Sequence, residues 1–334
     1  MEAAVEMTWW SNLRGWWAEE GLSDCTFPND PDVTGPISFL TECKLRIGDG
    51  AEAAFDWLQD NGAFLFDALA VALEAMIATF LAILQQPPNT SWFQDVRLRD
   101  ATFLYPPEWH PFLIIAIFAG LAWWLHRGWR VPLLVGVGFL FIVNQGYWKE
   151  TTESLTLVLS ACVVCMGVGV PIGIAVAHRP RLYAAMRPVL DLMQTLPTFV
   201  YLIPAIVFFG IGMVPGLIAT VIFVLPAPIR LTHLGITATP QALLEAADAF
   251  GATPSQKLWK VELPYALPQI MTGLNQTIML SLSMVVIAAL VGANGLGVPV
   301  VRALNQVNTG LGFESGFIIV VVAIVLDRAL RVKI

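Results

Sequence analysis

Charged residues are scarce in this sequence, and several long segments contain none. Of the 334 residues, 13% are charged and 57% are hydrophobic, whereas soluble globular chains carry roughly 25% charged residues. Asp, Glu, Lys and Arg are absent from residues 131–148, 154–177, 192–229 and 263–301. The composition therefore excludes an ordinary soluble domain and predicts an all-α polytopic membrane protein.

The sequence also lacks the motifs of nucleotide, metal and nucleophile chemistry. No G-x-x-x-x-G-K-[ST] phosphate loop occurs, so we expect no ATP site in this chain. Four histidines lie near the ends of hydrophobic segments without the spacing of metal ligands: His110, His126, His178 and His233. No nucleophile, base and orienting acid come together, so we expect neither an enzyme active site nor a cofactor in this chain.

Ionisable groups are nearly absent from the hydrophobic segments. Ion-coupled carriers usually place such groups at mid-membrane depth, where they mark the coupling path. A pathway lined by neutral polar groups, aromatics and small residues suits a solute without net charge. Such a transporter would take its energy from elsewhere.

Seven hydrophobic segments predict membrane-spanning helices. A spanning helix needs about 20 mostly apolar residues to cross a hydrocarbon core of roughly 30 Å. Pro197, Pro204 and Pro226 predict kinks in the fourth and fifth spans. The seven spans are placed at residues 111–126, 131–147, 153–177, 194–212, 214–232, 267–290 and 315–330.

The basic residues predict the side of the membrane on which each loop lies, because short cytoplasmic loops are enriched in Lys and Arg. The short loops of one side hold only Lys149 and Arg302. The other side holds Arg127, Arg130, Arg179, Arg181, Arg187, Lys257, Lys260, Arg328, Arg331 and Lys333. We therefore expect the N-terminus outside and the C-terminus inside.

The first 110 residues predict an acidic external region, with 17 acidic and 5 basic residues. We divide it into an acidic tail at 1–50 and an interfacial amphipathic helix with a linker at 51–110. Cys25 and Cys43 would lie on the oxidising side, either as a disulfide or as two free thiols. Five acidic side chains lie along the helix, so we place it on the outer face or against the bundle, with an eighth span as the alternative.

A polar segment at 238–265, here called the elbow, interrupts the hydrophobic pattern. Thr239 predicts an N-cap and Pro240 a first helical turn, after which the sequence is helix-forming. Gly251 predicts a left-handed stop. The first helix of the elbow is therefore expected to be short.

A second helix is predicted directly after that stop. Thr253 and Gln256 have the spacing of a capping box. Pro264 predicts the end of this helix, since proline lacks the N–H donor and clashes with the preceding turn. The elbow is thus expected to be two short helices at a fixed angle, exposed on the cytoplasmic side.

The elbow resembles the EAA loop of ABC importer permeases, whose pattern is E-A-A-x3-G-x9-I-x-L-P. The matching residues are Glu245, Ala246, Ala247, Gly251, Val261, Leu263 and Pro264, with Val261 in place of the usual Ile. Segments 191–216, 225–236 and 273–297 are similar to ProW-type permeases for glycine betaine and proline betaine. The resemblance covers about residues 110–330.

The resemblance implies a type I ABC importer (MetI-like) permease bundle at 111–334, in a bacterial inner membrane. Its elbow would be the coupling loop that docks on an ABC ATPase, with Glu245 in a polar contact and Gly251 at the turn. ATP and Mg would belong to the ATPase. The expected partners are two ATPase subunits, an external solute-binding protein, a second copy of the chain and membrane lipid, with no nucleic acid. The expected solute is a glycine betaine-like amine, with choline, carnitine and trimethylamine N-oxide as alternatives.

Neutral polar residues within the spans are candidates for the solute pathway, although such groups more often bond neighbouring helices. The candidates are Gln194, Thr195, Tyr201, Asn275, Gln276, Thr277, Ser281 and Ser283. Two other classes stay open. An ATP-independent secondary carrier for a small zwitterion would lose uptake with an ionophore, and a membrane receptor or scaffold would co-purify with no ATPase.

Overall fold

The computed structural model describes residues 47–85 and 110–330. The predictions for Cys25, Cys43 and the acidic tail lie outside the described residues. The contacts divide the chain into two units, residues 1–66 and 67–334.

A long helix, α1, spans Ile47–Gln85. In the first unit, Asn61 Nδ2 donates a hydrogen bond to the carbonyl oxygen of Trp57 at 2.8 Å, and the side chain of Phe64 is exposed. The helix predicted at 51–84 is therefore present. Its segment Phe55–Gln85 is long and apolar enough to cross a membrane, which agrees with the alternative of an eighth span as well as with an interfacial helix.

The second unit is a bundle of helices. They are α2 (His110–His126), α3 (Arg130–Asn144), α4 (Trp148–Ala177), α5 (Pro180–Thr195), α6 (Leu202–Phe209), α7 (Met213–Val224), α8 (Pro226–Thr237), α9 (Gln241–Ala249), α10 (Pro254–Lys257), α11 (Leu263–Ala289), α12 (Gly297–Gln306) and α13 (Thr309–Leu330). A 3-10 turn at Thr198–Tyr201 precedes α6, and a π-helical turn at Leu258–Glu262 precedes α11.

Four predicted spans are confirmed as long apolar helices. The third and seventh spans are α4 and α13, the fifth is α7 with α8, and the sixth lies within the continuous helix Pro254–Ala289. The first and second spans are α2 and α3, with 17 and 15 residues. At a rise of 1.5 Å per residue these two reach about 26 and 23 Å, less than the roughly 30 Å of a hydrocarbon core.

The fourth predicted span, at 194–212, is not one straight helix. Helix α5 and the segment Thr198–Phe209 meet at an angle of 104°. Leu196 and Pro197 between them are extended, with ψ angles of 139° and 133°. A residue before proline is pushed out of the helical region, so the kink predicted at Pro197 is a complete break.

The centre of the bundle is built where α4, α8 and α11 approach closely. A Cβ on Gly173 would lie 2.6 Å from the Cβ of Thr232, and one on Gly235 would lie 3.0 Å from that of Ala266. Small residues let helix backbones pack closely inside membranes. Residues 67–85 of α1 join the same bundle, where Ile77 packs in a cluster with Ala161 and Leu217.

Candidate functional site

The elbow turns between α9 and α10 at Gly251, whose φ is 73°. This confirms the predicted left-handed stop. The Gly251 N–H donates to the carbonyl oxygen of Asp248 at 2.9 Å, and the Ala252 N–H donates to that of Ala247 at 3.0 Å. Bonds of this kind satisfy the last carbonyl groups of a helix. The end of α9 is therefore set by local backbone bonds.

A capping box starts the second helix of the elbow, as predicted. The Gln256 N–H donates to Thr253 Oγ1 at 3.3 Å, and the Thr253 N–H donates to Gln256 Oε1 at 2.9 Å. Across the turn, Lys257 Nζ donates to both carboxylate oxygens of Asp248 at 2.6 and 2.9 Å. These side-chain bonds hold the two short helices at a fixed angle.

Thr239 does not cap α9, contrary to the prediction. The N-cap is Pro240, without a side-chain cap bond. The Thr239 N–H donates to the carbonyl oxygen of Ile236 at 3.1 Å, which joins this residue to the end of α8. Its side chain is consequently buried, and Oγ1 has no hydrogen-bond partner among the residues described.

Pro264 does not end the second helix, which is another correction. The chain stays helical from Pro254 to Ala289 because a π-helical turn lies just before the proline. The Leu263 N–H donates to the carbonyl oxygen of Leu258, five residues earlier. A π turn changes the local pattern of backbone hydrogen bonds. Pro264 lies in the first turn of α11, where the helix does not require a backbone N–H donor. The elbow is therefore continuous with α11.

The tip of the elbow is exposed. No residue of α9 is buried, and the ring of Phe250, just before the turn, is 91% exposed. Trp259 and Leu243 are also exposed. Helices as short as α9 are marginal alone and depend on packing against something else. Within residues 47–85 and 110–330, nothing covers this surface.

Helix α8 connects the elbow to the broken span. It ends at Thr237, shortly before α9 begins. Arg230 of α8 donates from Nη2 to Asp191 Oδ1 at 2.6 Å and from Nη1 to Gln194 Oε1 at 3.0 Å. In addition, the ring of Tyr183 stacks on that of His233 at 3.7 Å. Helix α5 is thereby attached to the helix that leads into the elbow.

The candidate pathway residues of the broken span have partners within the protein. Gln194 accepts from Arg230, and Thr195 Oγ1 donates to the carbonyl oxygen of Leu192 at 3.4 Å. The buried Tyr201 donates from its hydroxyl to the carbonyl oxygen of Met193 at 2.7 Å. The bond of Tyr201 spans the sharp bend, and the bond of Gln194 reaches α8. Both contacts therefore stabilise the bend.

The candidates of α11 have mixed surroundings. Thr277 and Ser283 donate to carbonyl oxygens of their own helix, at 2.8 and 3.1 Å. Asn275 Nδ2 lies 3.5 Å from Asp327 Oδ1 of α13, and Gln276 is exposed. Ser281 is fully buried, and its Oγ has no hydrogen-bond partner in the described part of the chain.

A charged cavity of about 470 Å³ lies at the opposite end of α4 from the elbow. Its lining includes Glu150, Glu153 and Glu314, with Lys149 and Arg302. Burial, with the carboxylates of Glu314 and Glu150, raises the pKa of the neighbouring Tyr147. This cavity was not predicted from the sequence, because its charges come from helix ends and loops far apart in the chain.

The chain is similar to known proteins over the region that contains these features. Residues 169–332 match the family described as binding-protein-dependent transport system inner membrane component. The chain is 43% identical over 286 residues to the glycine betaine transport system permease protein OpuAB of Bacillus subtilis (strain 168), covering 85% of this chain and 93% of that protein.

Two further relatives have similar descriptions. The glycine betaine/carnitine transport permease protein GbuB of Listeria monocytogenes serotype 1/2a (strain 10403S) is 50% identical, over 66% of this chain and 79% of its own length. The glycine betaine/proline betaine transport system permease protein ProW of Escherichia coli (strain K12) is 47% identical, over 64% of this chain and 60% of its own length.

Proposed function

This chain belongs to the family of binding-protein-dependent transport system inner membrane components, and we propose that its solute is glycine betaine or a closely related amine. It is the permease subunit of an ATP-driven importer, not an enzyme, and it is a multi-pass membrane protein. Three relatives at 43% to 50% identity are named for glycine betaine transport. Long segments without charge suit a solute with no net charge.

The exposed elbow is the single observation that carries the ATP-driven mechanism. The ATPase partner docks on α9 and on the turn at Gly251, and Phe250 serves as an apolar anchor. Support comes from a rigid, capped turn that presents a largely exposed aromatic ring, since aromatic anchors dominate many protein interfaces. ATP and Mg are bound by the ATPase, and this chain holds no cofactor.

The residues of the coupling motif have separate roles in this docking. Glu245 is exposed on α9 and makes a polar contact, while Ala246 and Ala247 allow close approach. Gly251 forms the turn. Val261, Leu263 and Pro264 join the elbow to α11.

The working assembly contains two copies of this chain, two ATPase subunits and an external binding protein. One chain carries one elbow, so two ATPases need two copies. Closure of the ATPases moves the elbows, and each bundle tips as a rigid body to open outward. The elbow faces the cytoplasm, and the charged cavity at the other end of α4 faces outside.

The solute pathway runs along α11 and the bend between α5 and α6. Ser281 supports this placement, because its buried hydroxyl has no partner among the described residues and can bond a passing solute or water. The full set of proposed lining residues is Gln194, Thr195, Tyr201, Asn275, Gln276, Thr277, Ser281 and Ser283.

Reconstitution tests this function. The chain, its ATPase and its binding protein are placed in liposomes with ATP on the ATPase side, and uptake of radiolabelled glycine betaine is measured. We expect uptake that requires both ATP and the binding protein. Competition by unlabelled choline, carnitine, proline betaine and trimethylamine N-oxide then ranks the amines.

Two results would contradict the proposal. Uptake that persists without ATP and collapses with an ionophore would assign the chain to secondary carriers. ATP-dependent uptake that glycine betaine and the other amines do not saturate would overturn the solute class and leave the importer assignment intact.

A further inference from the structure

An ionisable contact joins the elbow to α4. His178 follows the last residue of α4, and its Nε2 lies 2.8 Å from Glu262 Oε2. Its other ring nitrogen, Nδ1, lies 2.9 Å from the carbonyl oxygen of Ile174. Glu262 is the last residue of the π-helical turn that connects α10 to α11. The imidazole is therefore held at both nitrogens, with one side on α4 and the other on the elbow.

The geometry defines where the hydrogens lie. A carbonyl oxygen can only accept, so Nδ1 carries a hydrogen that it donates to Ile174. The contact between Nε2 and the Glu262 carboxyl group then also holds a hydrogen, contributed by the ring or by the carboxyl group. Both bonds are directional, and the ring cannot rotate without breaking one of them.

Burial makes this contact costly to lose. Glu262 is 6% exposed, and a buried carboxyl group without a partner is strongly disfavoured. His178 supplies the partner.

This part of the elbow also has apolar contacts with the bundle. Leu258 and Leu263 pack against a cluster of Ile236, Ala266 and Ile270. Apolar contacts tolerate sliding, whereas a hydrogen bond fixes direction and distance. The hydrogen bond between His178 and Glu262 therefore keeps the elbow and α4 in a fixed relative position, so that a displacement of the elbow would also displace α4.

Helix α4 reaches from this contact to the far end of the bundle. Its 30 residues span about 45 Å at 1.5 Å per residue. Its first residues include Lys149, Glu150 and Glu153, which line the charged cavity. One helix, with Pro171 inside it, thus joins His178 to the cavity.

We propose that His178 and Glu262 are positioning residues for coupling, which carry the movement of the elbow to α4 and hence to the far end of the bundle. The inference rests on the proposed docking of the ATPase on the elbow. It adds a third connection to the two covalent ones, which run from α8 into α9 and from the π-helical turn into α11. Neither residue touches solute or nucleotide.

The first test measures glycine betaine imported per ATP hydrolysed in the reconstituted complex. His178→Ala and Glu262→Ala should each lower this ratio at least fivefold while the ATPase rate stays within twofold of wild type. The import ratio of the double variant should be no lower than that of the more affected single variant, because the two substitutions break the same bond. His178→Lys, which keeps an N–H donor facing Glu262, should restore at least half of the ratio.

His126→Ala is the matched control. His126 Nδ1 lies 3.1 Å from the carbonyl oxygen of Ala122 at the end of α2, which resembles the bond of His178 to Ile174. Helix α2 does not lead into the elbow, so the import ratio should be unchanged. A general loss of folding would lower uptake and ATPase rate together and leave their ratio intact.

A second readout does not depend on the solute. A Lys149→Cys reporter is placed at the cavity end of α4, and its rate of maleimide labelling is compared with and without ATP and vanadate. Nucleotide should change this rate at least threefold with His178 present and less than 1.5-fold with His178→Ala. This comparison of labelling rates tests the inference even if the wild-type complex imports no glycine betaine. That result would overturn only the proposed solute.

The inference is overturned by an unchanged import ratio in both single variants or by losses that multiply in the double variant. It is also overturned by failure of His178→Lys to restore coupling, or by nucleotide-dependent labelling that survives His178→Ala.

Discussion

At Gly251 the backbone holds a conformation that residues with side chains rarely adopt. The φ angle is 73°, and a Cβ placed there would meet nothing within 4 Å. A β-branched residue would therefore be opposed by backbone strain and not by a clash, at about 1–2 kcal/mol. We expect Gly251→Val to distort the turn and lower glycine betaine imported per ATP by about fivefold or more.

Gly251→Asn separates backbone strain from loss of glycine as such. Asparagine visits the left-handed region more readily than other residues with a Cβ, so this variant should keep most of the import ratio. The measurement is uptake of labelled glycine betaine beside phosphate release in the same liposomes. Wild-type coupling in Gly251→Val would show that the turn does not need this φ angle.

Other residues show which local sequence patterns are sufficient to predict a hydrogen bond. Thr253 and Gln256 form the predicted capping box because both partners lie within one turn, and the bonds need nothing from the rest of the fold. Thr239 has the right residue type for a cap but is drawn into the end of α8. His178 and Glu262 are 84 residues apart, and no local pattern could have paired them.

Among the elements, the contact of α4 with α8 offers a direct test of packing. A Cβ on Gly173 would lie 2.9 Å from the carbonyl oxygen of Ile229 as well as against Thr232. Because a backbone atom cannot rotate away, Gly173→Ala should force the helices apart. Overpacking of this kind costs about 1–3 kcal/mol.

Gly167→Ala is the control on the same helix, since a Cβ there would meet nothing within 4 Å. Both substitutions gain similar helix propensity, so the difference between them isolates the packing cost. Thermal unfolding of the purified complex in detergent should place Gly173→Ala several degrees below Gly167→Ala. Equal midpoints would contradict the close approach of α4 and α8.

The helices that the sequence predicted least well are those shaped by proline. Pro197 was expected to kink a span. Instead it lies at a break where α5 and the segment Thr198–Phe209 meet at an angle of 104°. Pro264 was expected to stop a helix and instead follows a π-helical turn inside a continuous one. The residue type indicates a disturbance in both cases. The size of the disturbance depends on tertiary contacts, such as the bond of Tyr201 across the bend and the bond of Arg230 onto α5.

For the whole molecule, hydrophobic length and the coupling motif were sufficient to predict the class. Apolar runs predicted the long helices, because the hydrocarbon core sets one length for every span. The charged cavity was not predicted, since Glu150, Arg302 and Glu314 meet only when α4, α12 and α13 are assembled. The seven-residue motif was visible because its spacing lies within one short segment.

The proposed orientation gives a prediction for the entire chain. Basic residues such as Arg179, Arg181 and Lys260 lie near the elbow, whereas the opposite end has Lys149 and Arg302. Lys and Arg are enriched in cytoplasmic loops, so the elbow should face the cytoplasm. In right-side-out vesicles, an impermeant maleimide should label Asn144→Cys at the cavity end and leave Ser255→Cys in the elbow unlabelled.

Inverted vesicles provide the control for this labelling, because the two variants should then exchange their reactivity. The unsubstituted chain gives the background from its own cysteines, of which Cys162 and Cys165 are buried in α4. Labelling of Ser255→Cys from outside would place the elbow on the wrong side for a cytoplasmic ATPase. The docking proposed for Phe250 and the transmission proposed for His178 would then both fail, because each requires the ATPase and the elbow on one side of the membrane.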